Sequence, residues 1–201
     1  MDVETIPNHH RHHVGFAGAS GLFCAVLFRV RHRDRSVLAS RLMDTGPADI
    51  VVDIGCGSGA TARHAARLGS TVIGVDPSPV MLRVARLTSR HRRVRYAIGA
   101  AEALPVDDGV ATVAWSIATV HHWHDLDAGV AEVHRVLRPD GRFLALERRT
   151  TPGATGVASH GWTPDQARAF ADHLSSHGFA DVTIGEHAAR PTMLSVLATR
   201  E

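Results

Sequence analysis

The fold of this chain is decided by the stretch Val51-Val52-Asp53-Ile54-Gly55-Cys56-Gly57-Ser58-Gly59. An apolar run ends at Ile54, three alternating glycines follow, and residues 61–68 then favour a helix. This pattern predicts a buried strand, a tight turn and a helix. Glycine accepts positive φ angles and leaves room for a ligand, and a helix N-terminus directs unpaired N–H groups toward it. The stretch therefore predicts a ligand-binding loop.

The glycines alone are compatible with a dinucleotide and with a ligand that carries an ammonium group. Gly55, Gly57 and Ala60 fit the dinucleotide pattern G-x-G-x-x-G/A, and Asp76 follows at the expected spacing of about 20 residues. Asp53, however, precedes the first glycine by two residues. A carboxylate there would attract an ammonium group and repel a pyrophosphate. An NAD-dependent oxidoreductase therefore remains an alternative at this point.

Strand and helix patterns alternate along the rest of the chain. Buried strands are predicted at 50–54, 71–75, 94–98, 110–116 and 142–147, with helices between most of them. A helix at 163–176 and two closing strands, at 179–186 and 193–199, follow. Alternating strands and helices give a parallel sheet with right-handed crossovers, and a short connection makes the last two strands antiparallel. The prediction is an α/β, Rossmann-like, seven-stranded, mostly parallel sheet with helices on both faces and an antiparallel closing strand.

The sequence D-x-G-x-G-x-G, which begins at Asp53, resembles motif I of the class I S-adenosylmethionine (SAM)-dependent methyltransferases. Residues 115–125 and 134–142 are similar to the segments that flank the last crossover in the UbiE/type-11 small-molecule methyltransferases. The resemblance covers residues 49–147 and extends to the closing strands in pattern only. It implies a SAM-binding methyltransferase core at 49–201. Residues 1–48 are expected to form a helical arm or lid that packs on this core.

The resemblance implies cofactor contacts at the carboxyl ends of the strands, where open α/β sheets bind ligands. Asp53 is expected to meet the ammonium group of SAM. Asp76 is expected to accept the ribose hydroxyls, or else only to favour the N-terminus of the next helix. Backbone N–H groups of Ala101 and Glu102 would hold the adenine, since Ala100 stands where many relatives have an acidic residue. The predicted set is Asp53, Gly55, Cys56, Gly57, Gly59, Asp76, Pro77, Ala101, Glu102 and Ser116.

The chemistry of SAM narrows the catalytic candidates. Its methyl group leaves a sulfonium, so transfer needs an aligned nucleophile and no metal is predicted. A hydroxyl or amine acceptor must also lose a proton, and histidine suits that task. The candidates are His121, in the helical turn after the fourth strand, His122, about 100° further round that turn, and Glu147, at the end of the fifth strand. Either histidine could instead only pack, and His160 and Trp162 could line the acceptor pocket.

These residues predict SAM-dependent methyl transfer to a small molecule, most readily at a hydroxyl oxygen. The alternatives are the NAD-dependent oxidoreductase and a non-catalytic SAM-binding regulator. With 201 residues, a formal net charge of +2 and two distant cysteines, the chain is expected to be a cytoplasmic protein that needs no nucleic-acid partner. No oligomeric state is indicated.

The segment before the core has its own pattern. Residues 8–13 are rich in histidine, and residues 15–30 are apolar but shorter than the ~20 residues of a membrane-spanning helix. A lid at residues 9–30 is expected. Metal binding by the histidines and contact of the apolar segment with an anionic membrane are the less favoured alternatives.

Overall fold

The computed structural model describes residues 33–89 and 91–201. The histidine-rich segment, the apolar segment and the expected lid at residues 9–30 lie outside the described residues. Within the described ranges, no helix is long and apolar enough to cross a membrane.

The centre of the fold is one seven-stranded sheet. Its strands are β1 (Ile50–Ile54), β2 (Thr71–Asp76), β3 (Val94–Ile98), β4 (Ala111–Ile117), β5 (Leu137–Arg148), β6 (Phe179–His187) and β7 (Met193–Arg200). Their order is β3-β2-β1-β4-β5-β7-β6, and β7 runs antiparallel to both of its neighbours while the other pairs are parallel. The predicted fold class is confirmed. Because strand order reverses at β1, the glycine loop lies at the switch point where such sheets bind ligands.

Five α-helices surround this sheet in the described residues: α1 (Arg33–Leu42), α2 (Ala60–Arg67), α3 (Pro79–Thr88), α4 (Leu126–Val136) and α5 (Pro164–Ser175). Three of them begin at capping side chains: Ser78, Asp125 and Thr163. Each cap satisfies a backbone N–H of the first turn, which is typically worth about 1 kcal/mol. These caps fix where each helix leaves the edge of the sheet.

The helices cover both faces of the sheet, as strand alternation requires. Val51 packs in a cluster with Ala39 and Met43 from α1 and its C-terminal end, and with the alanines of α2. Its neighbour Val52 packs in the opposite cluster, which contains the apolar side chains of α4 and α5. The described part of the predicted arm, residues 33–48, is thus packed on the core.

The structure differs from the sequence prediction in three places. The sequence Arg138-Pro139-Asp140-Gly141 predicts a turn before the fifth strand, but it forms a bulge inside β5, because β5 advances from Leu137 to Arg142 while β4 advances only from Ala111 to Val113. The apolar pattern of residues 80–87 predicts that Leu87 faces inward on α3, but Leu87 is 72% exposed. Trp162 packs against Phe170 in the core and is 1% exposed, so it does not line an open pocket.

Candidate functional site

The three glycines of the loop serve two different purposes. All three have positive φ angles: +69° at Gly55, +52° at Gly57 and +75° at Gly59. A Cβ on Gly55 would lie 2.6 Å from the Thr119 side chain, and one on Gly59 would lie 2.2 Å from the Tyr96 hydroxyl oxygen. A Cβ on Gly57 would meet nothing within 4 Å. Packing therefore requires Gly55 and Gly59, whereas Gly57 borders open space that a ligand can fill.

Asp76 holds the loop from the end of β2. Its Oδ2 accepts the Gly57 N–H at 2.8 Å, and its Oδ1 accepts the Ser78 N–H at 2.9 Å. Burial raises the pKa of this carboxyl, and the two N–H donors oppose that shift. Each oxygen keeps a second acceptor position, so the carboxylate can still bind hydroxyl groups of a ligand.

Asp53 is the least satisfied carboxylate of the site. It is 2% exposed, and its Oδ2 makes no hydrogen bond with any described residue. Burial raises the pKa of Asp53 to about 7. The Trp115 side chain, which lies beside Asp53 on the neighbouring strand β4, and the Ala62 backbone oppose this shift with smaller effects. A cationic group that reached this carboxylate would supply the missing partner.

The segment after β3 is tied to the segment after β4. The Glu102 carboxylate accepts the backbone N–H groups of His124, at 2.5 Å, and Asp125, at 3.2 Å. Ala101 is buried, whereas Pro77, at the end of β2, is exposed. The Glu102 side chain therefore holds the backbone of His124 and Asp125 in place. The predicted adenine contact can involve the backbone N–H of Glu102 but not its side chain.

Two further predicted cofactor residues are buried beneath the loop. Ser116 is fully buried, and its hydroxyl bonds that of Thr119 at 2.5 Å, which in turn donates to the Ile54 carbonyl at 3.1 Å. Burial raises the pKa of the Cys56 thiol well above its usual value, so Cys56 stays protonated. Thr119 and Tyr96 also support the loop, and no sequence pattern predicts this because their contacts join segments that are distant in the chain.

Two of the three predicted catalytic residues form a buried pair. Glu147 is 0% exposed; its Oε1 accepts the Val120 N–H at 2.9 Å, and its Oε2 lies 2.9 Å from Nδ1 of His121. A carboxylate only accepts, so Nδ1 of His121 carries the hydrogen and the lone pair of the neutral ring is on Nε2. The structure thus orients His121 as a proton acceptor through Nε2.

His122 and His160 complete a cluster around this pair. The His122 ring lies 4.0 Å from the His121 ring between centroids, and the His160 ring lies 5.4 Å from that of His121. Residues Val120–His122 form a single 3₁₀ turn, not the α-helical turn assumed from sequence. In this turn the two neighbouring rings are in contact. His122 is exposed to solvent, whereas His121 is buried, with 7% of its surface exposed.

Known proteins share both the sequence and the fold. Residues 52–145 match the family model of a methyltransferase domain. The malonyl-[acyl-carrier protein] O-methyltransferase of Pseudescherichia vulneris is 34% identical over 126 residues, which are 62% of this chain and 49% of the relative. The ubiquinone/menaquinone biosynthesis C-methyltransferase UbiE of Rubrivivax gelatinosus is 35% identical over 100 residues, 50% of this chain and 39% of the relative. The chain thus spans less than half the length of these two relatives.

Among solved structures, a SAM-dependent methyltransferase from Aquifex aeolicus superposes with a TM-score of 0.72 at 14% identity, over 92% of this chain and 100% of that one. The fold, the loop and the family match agree, and they favour a methyltransferase over an NAD-dependent oxidoreductase. SAM is the cofactor of this family, and the buried carboxylate of Asp53 and the space beside Gly57 fit it. Residues 52–145 are therefore similar to a methyltransferase domain, and the chain has the fold of SAM-dependent methyltransferases.

Proposed function

We propose that this protein transfers the methyl group of SAM to a hydroxyl oxygen of a small molecule, with His121 as the general base. The observation that carries this proposal is the His121–Glu147 contact of 2.9 Å. As the carbon–sulfur bond breaks and the carbon–oxygen bond forms, the hydroxyl proton passes to Nε2 of His121. S-adenosylhomocysteine and the methyl ether are the products.

The position of the pair supports this role. Ser116 of β4 stands directly beside Ile54 of β1, and Ala145 of β5 stands beside Ser116. The segment with His121 follows β4, and Glu147 ends β5, so both groups lie at the same sheet edge as the glycine loop. In methyl transfer, most of the rate comes from holding the acceptor in line with the methyl group. A base that removes the acceptor proton raises the rate by a further factor of about 10²–10⁴.

Two observations support oxygen as the acceptor atom: the presence of a base and the name of one of the two relatives. One relative is named for O-methylation and the other for C-methylation, so the family alone does not select the acceptor atom. A neutral hydroxyl needs deprotonation during transfer, which matches a histidine whose tautomer is fixed by a buried carboxylate.

The cofactor is proposed to lie over the loop between β1 and α2. Asp53 binds its ammonium group, Asp76 its ribose hydroxyls, and the space beside Gly57 receives its chain. Backbone N–H groups of Ala101 and Glu102 hold the adenine. The other predicted contacts, at Gly55, Cys56, Gly59, Pro77 and Ser116, shape and support this surface.

The test uses methyl-labelled SAM and fractionated small-molecule extracts to find an acceptor, followed by kinetics of His121→Gln. Turnover should fall by about 10²–10⁴-fold, because the acceptor proton has no receiver, while S-adenosylhomocysteine affinity stays within twofold. Glu147→Gln should also lower turnover, because Gln can present an N–H that favours the wrong tautomer of His121.

His122→Gln is the matched control, because it changes the exposed ring beside His121 and keeps the contact between His121 and Glu147. The proposal fails if His121→Gln and His122→Gln have the same turnover as the parent. Tight S-adenosylhomocysteine binding with no label transferred to any fraction would instead support the non-catalytic SAM-binding alternative.

A further inference from the structure

A second group of polar side chains joins two helices away from the glycine loop. Asp127 lies in the first turn of α4, His173 in the last turn of α5, and His177 just beyond α5. Oδ1 of Asp127 is 3.2 Å from Nε2 of His173 and 3.5 Å from Nε2 of His177. The two imidazole rings are 4.2 Å apart between centroids. The side chains thus converge on one point between the helices.

A hydrogen bond of His177 determines which of its two ring nitrogens carries the hydrogen. Its Nδ1 lies 2.8 Å from the backbone carbonyl oxygen of His173, which can only accept. Nδ1 therefore carries the hydrogen, and the lone pair of the neutral ring is on Nε2, which faces Asp127. A lone pair directed at a carboxylate is unfavourable unless a proton or a metal cation lies between them.

His173 presents the same difficulty from the buried side. Its side chain is 10% exposed, and Nε2 forms no hydrogen bond with any described residue, although it lies 3.2 Å from the Asp127 carboxylate. Two ring nitrogens and a carboxylate oxygen therefore meet at one point between the helices.

The spacing is that of ligands around one ion. A tetrahedral ion with bonds of 2.0–2.1 Å separates neighbouring ligand atoms by about 3.3 Å. The separations of Asp127 Oδ1 from the two ring nitrogens, 3.2 and 3.5 Å, bracket this value, and all three ligand atoms lie within 4.8 Å of one another. Histidines that bind metals usually donate their other N–H to a carbonyl or carboxylate, as His177 does.

We propose that Asp127, His173 and His177 bind a divalent transition-metal ion of the Zn²⁺ type, with water completing the shell. Imidazole nitrogen with carboxylate oxygen suits Zn²⁺ and its neighbours better than Mg²⁺ or Ca²⁺. The ion ties the start of α4 to the end of α5. It is structural, because none of its ligands takes part in the proposed methyl transfer.

The test compares Zn²⁺ binding and thermal unfolding of the full chain with those of two variants, Asp127→Asn and His177→Gln. Both residues are at least 31% exposed, so the variants should fold. Calorimetry should show the loss of one Zn²⁺ equivalent in each variant. Zn²⁺ at 100 times its dissociation constant should raise the parent Tm by about 5–10 °C, and this rise should disappear in both variants.

Two matched variants serve as controls. Asp172→Asn makes the same charge change at an exposed position of α5, and His124→Gln removes an exposed histidine outside the group. Both should keep the parent stoichiometry and Tm rise. The histidines of residues 8–13 and the cluster at His121 are common to all these proteins, so differences between variants report the α4–α5 group alone. Parent-like Zn²⁺ binding in Asp127→Asn and His177→Gln would overturn the proposal.

Discussion

At the scale of single residues, Asp53 shows what a buried carboxylate with an unpartnered oxygen costs in stability. Its carboxyl is 2% exposed, and the Oδ2 atom has no hydrogen-bond partner among the described residues. Removing a charge from water without a partner is unfavourable, so burial raises its pKa from 3.8 to about 7. The folded, ligand-free protein therefore binds a proton that the unfolded chain releases.

Asp53→Asn should remove this cost and change how stability depends on pH. In the parent, the free energy of unfolding should fall as pH rises from about 4 to 7, because the native state retains its proton over that range. The gain of the variant over the parent should grow across this window to about 4 kcal/mol at most and level off above pH 7. Urea denaturation at pH 5 and pH 8 measures it.

The same variant should bind S-adenosylhomocysteine about 10–100-fold more weakly at pH 8, since a charge-assisted hydrogen bond to the ammonium is lost. A stability difference that stays constant between pH 5 and pH 8 would contradict the assignment of the proton to Asp53. Unchanged ligand affinity would contradict its contact with the ammonium.

Residue roles were predictable from sequence only where a motif carries them. Asp53 and Asp76 follow from the spacing of the glycines. His121 and Glu147 were both candidates for the base, and their pairing could not be seen because they are 26 positions apart, with the whole of α4 between them. Leu87 was misplaced because the inward positions of α3 are taken by Met81, Leu82 and Ala85.

At the scale of elements, the loop between β1 and α2 shows that one glycine pattern combines packing and binding. Tyr96 of β3 extends across Gly74 of β2 and reaches Gly59, at the start of α2. Sequence predicted each of these elements within a few residues, because apolar runs and helix caps are local signals. The close approach of Tyr96 to Gly59 depends on strand order, which no local signal contains.

Gly59→Ala should destabilise the protein by about 2–4 kcal/mol, from the left-handed backbone and from the contact of the new methyl group with Tyr96. Adding Tyr96→Leu should recover part of this loss, because the contact is removed and the strain remains. Denaturant midpoints of the two single variants and the double variant measure the coupling. Strictly additive effects would contradict the contact.

Gly57→Ala is the matched change on the open side of the loop. It should cost only the backbone strain, about 1–2 kcal/mol, since its Cβ meets no protein atom within 4 Å. Its S-adenosylhomocysteine affinity should nevertheless fall more than tenfold, because the methyl group occupies ligand space. Full affinity in this variant would place the ligand elsewhere.

At the scale of the whole molecule, the sheet has two edges with different tasks. The carboxyl edge carries the loop and the histidines, and the amino edge carries a polar network centred on Asp49. Its Oδ1 accepts the Thr112 hydroxyl at 2.7 Å and an Arg142 N–H at 3.0 Å, while its Oδ2 accepts the Gly46 N–H at 2.9 Å. Arg142 also donates to the Met43 carbonyl. This network ties the end of α1 to β1, β4 and β5.

The family resemblance predicted a boundary between the arm and the core at residues 48 and 49. The network crosses that boundary, and Ala39 and Met43 are at most 1% exposed against the sheet and α2. Contacts between residues so far apart in the chain cannot be predicted from local sequence patterns. Residues 33–48 therefore contribute to the stability of the core, whatever they contribute to the substrate site.

Asp49→Ala should test this division of tasks between the two edges. It removes the ion pair with Arg142 and two hydrogen bonds from neutral donors, and it leaves the half-buried Arg142 guanidinium without its carboxylate. The expected loss is about 2–4 kcal/mol. Asp107→Ala, at an exposed position, is the control for the change in charge. S-adenosylhomocysteine affinity of Asp49→Ala should match the parent at a temperature where both are folded, because Asp49 lies at the opposite end of β1 from the glycines. A stable variant would show that α1 is held by apolar contacts alone, and a stable variant with weakened binding would show that the two edges are coupled.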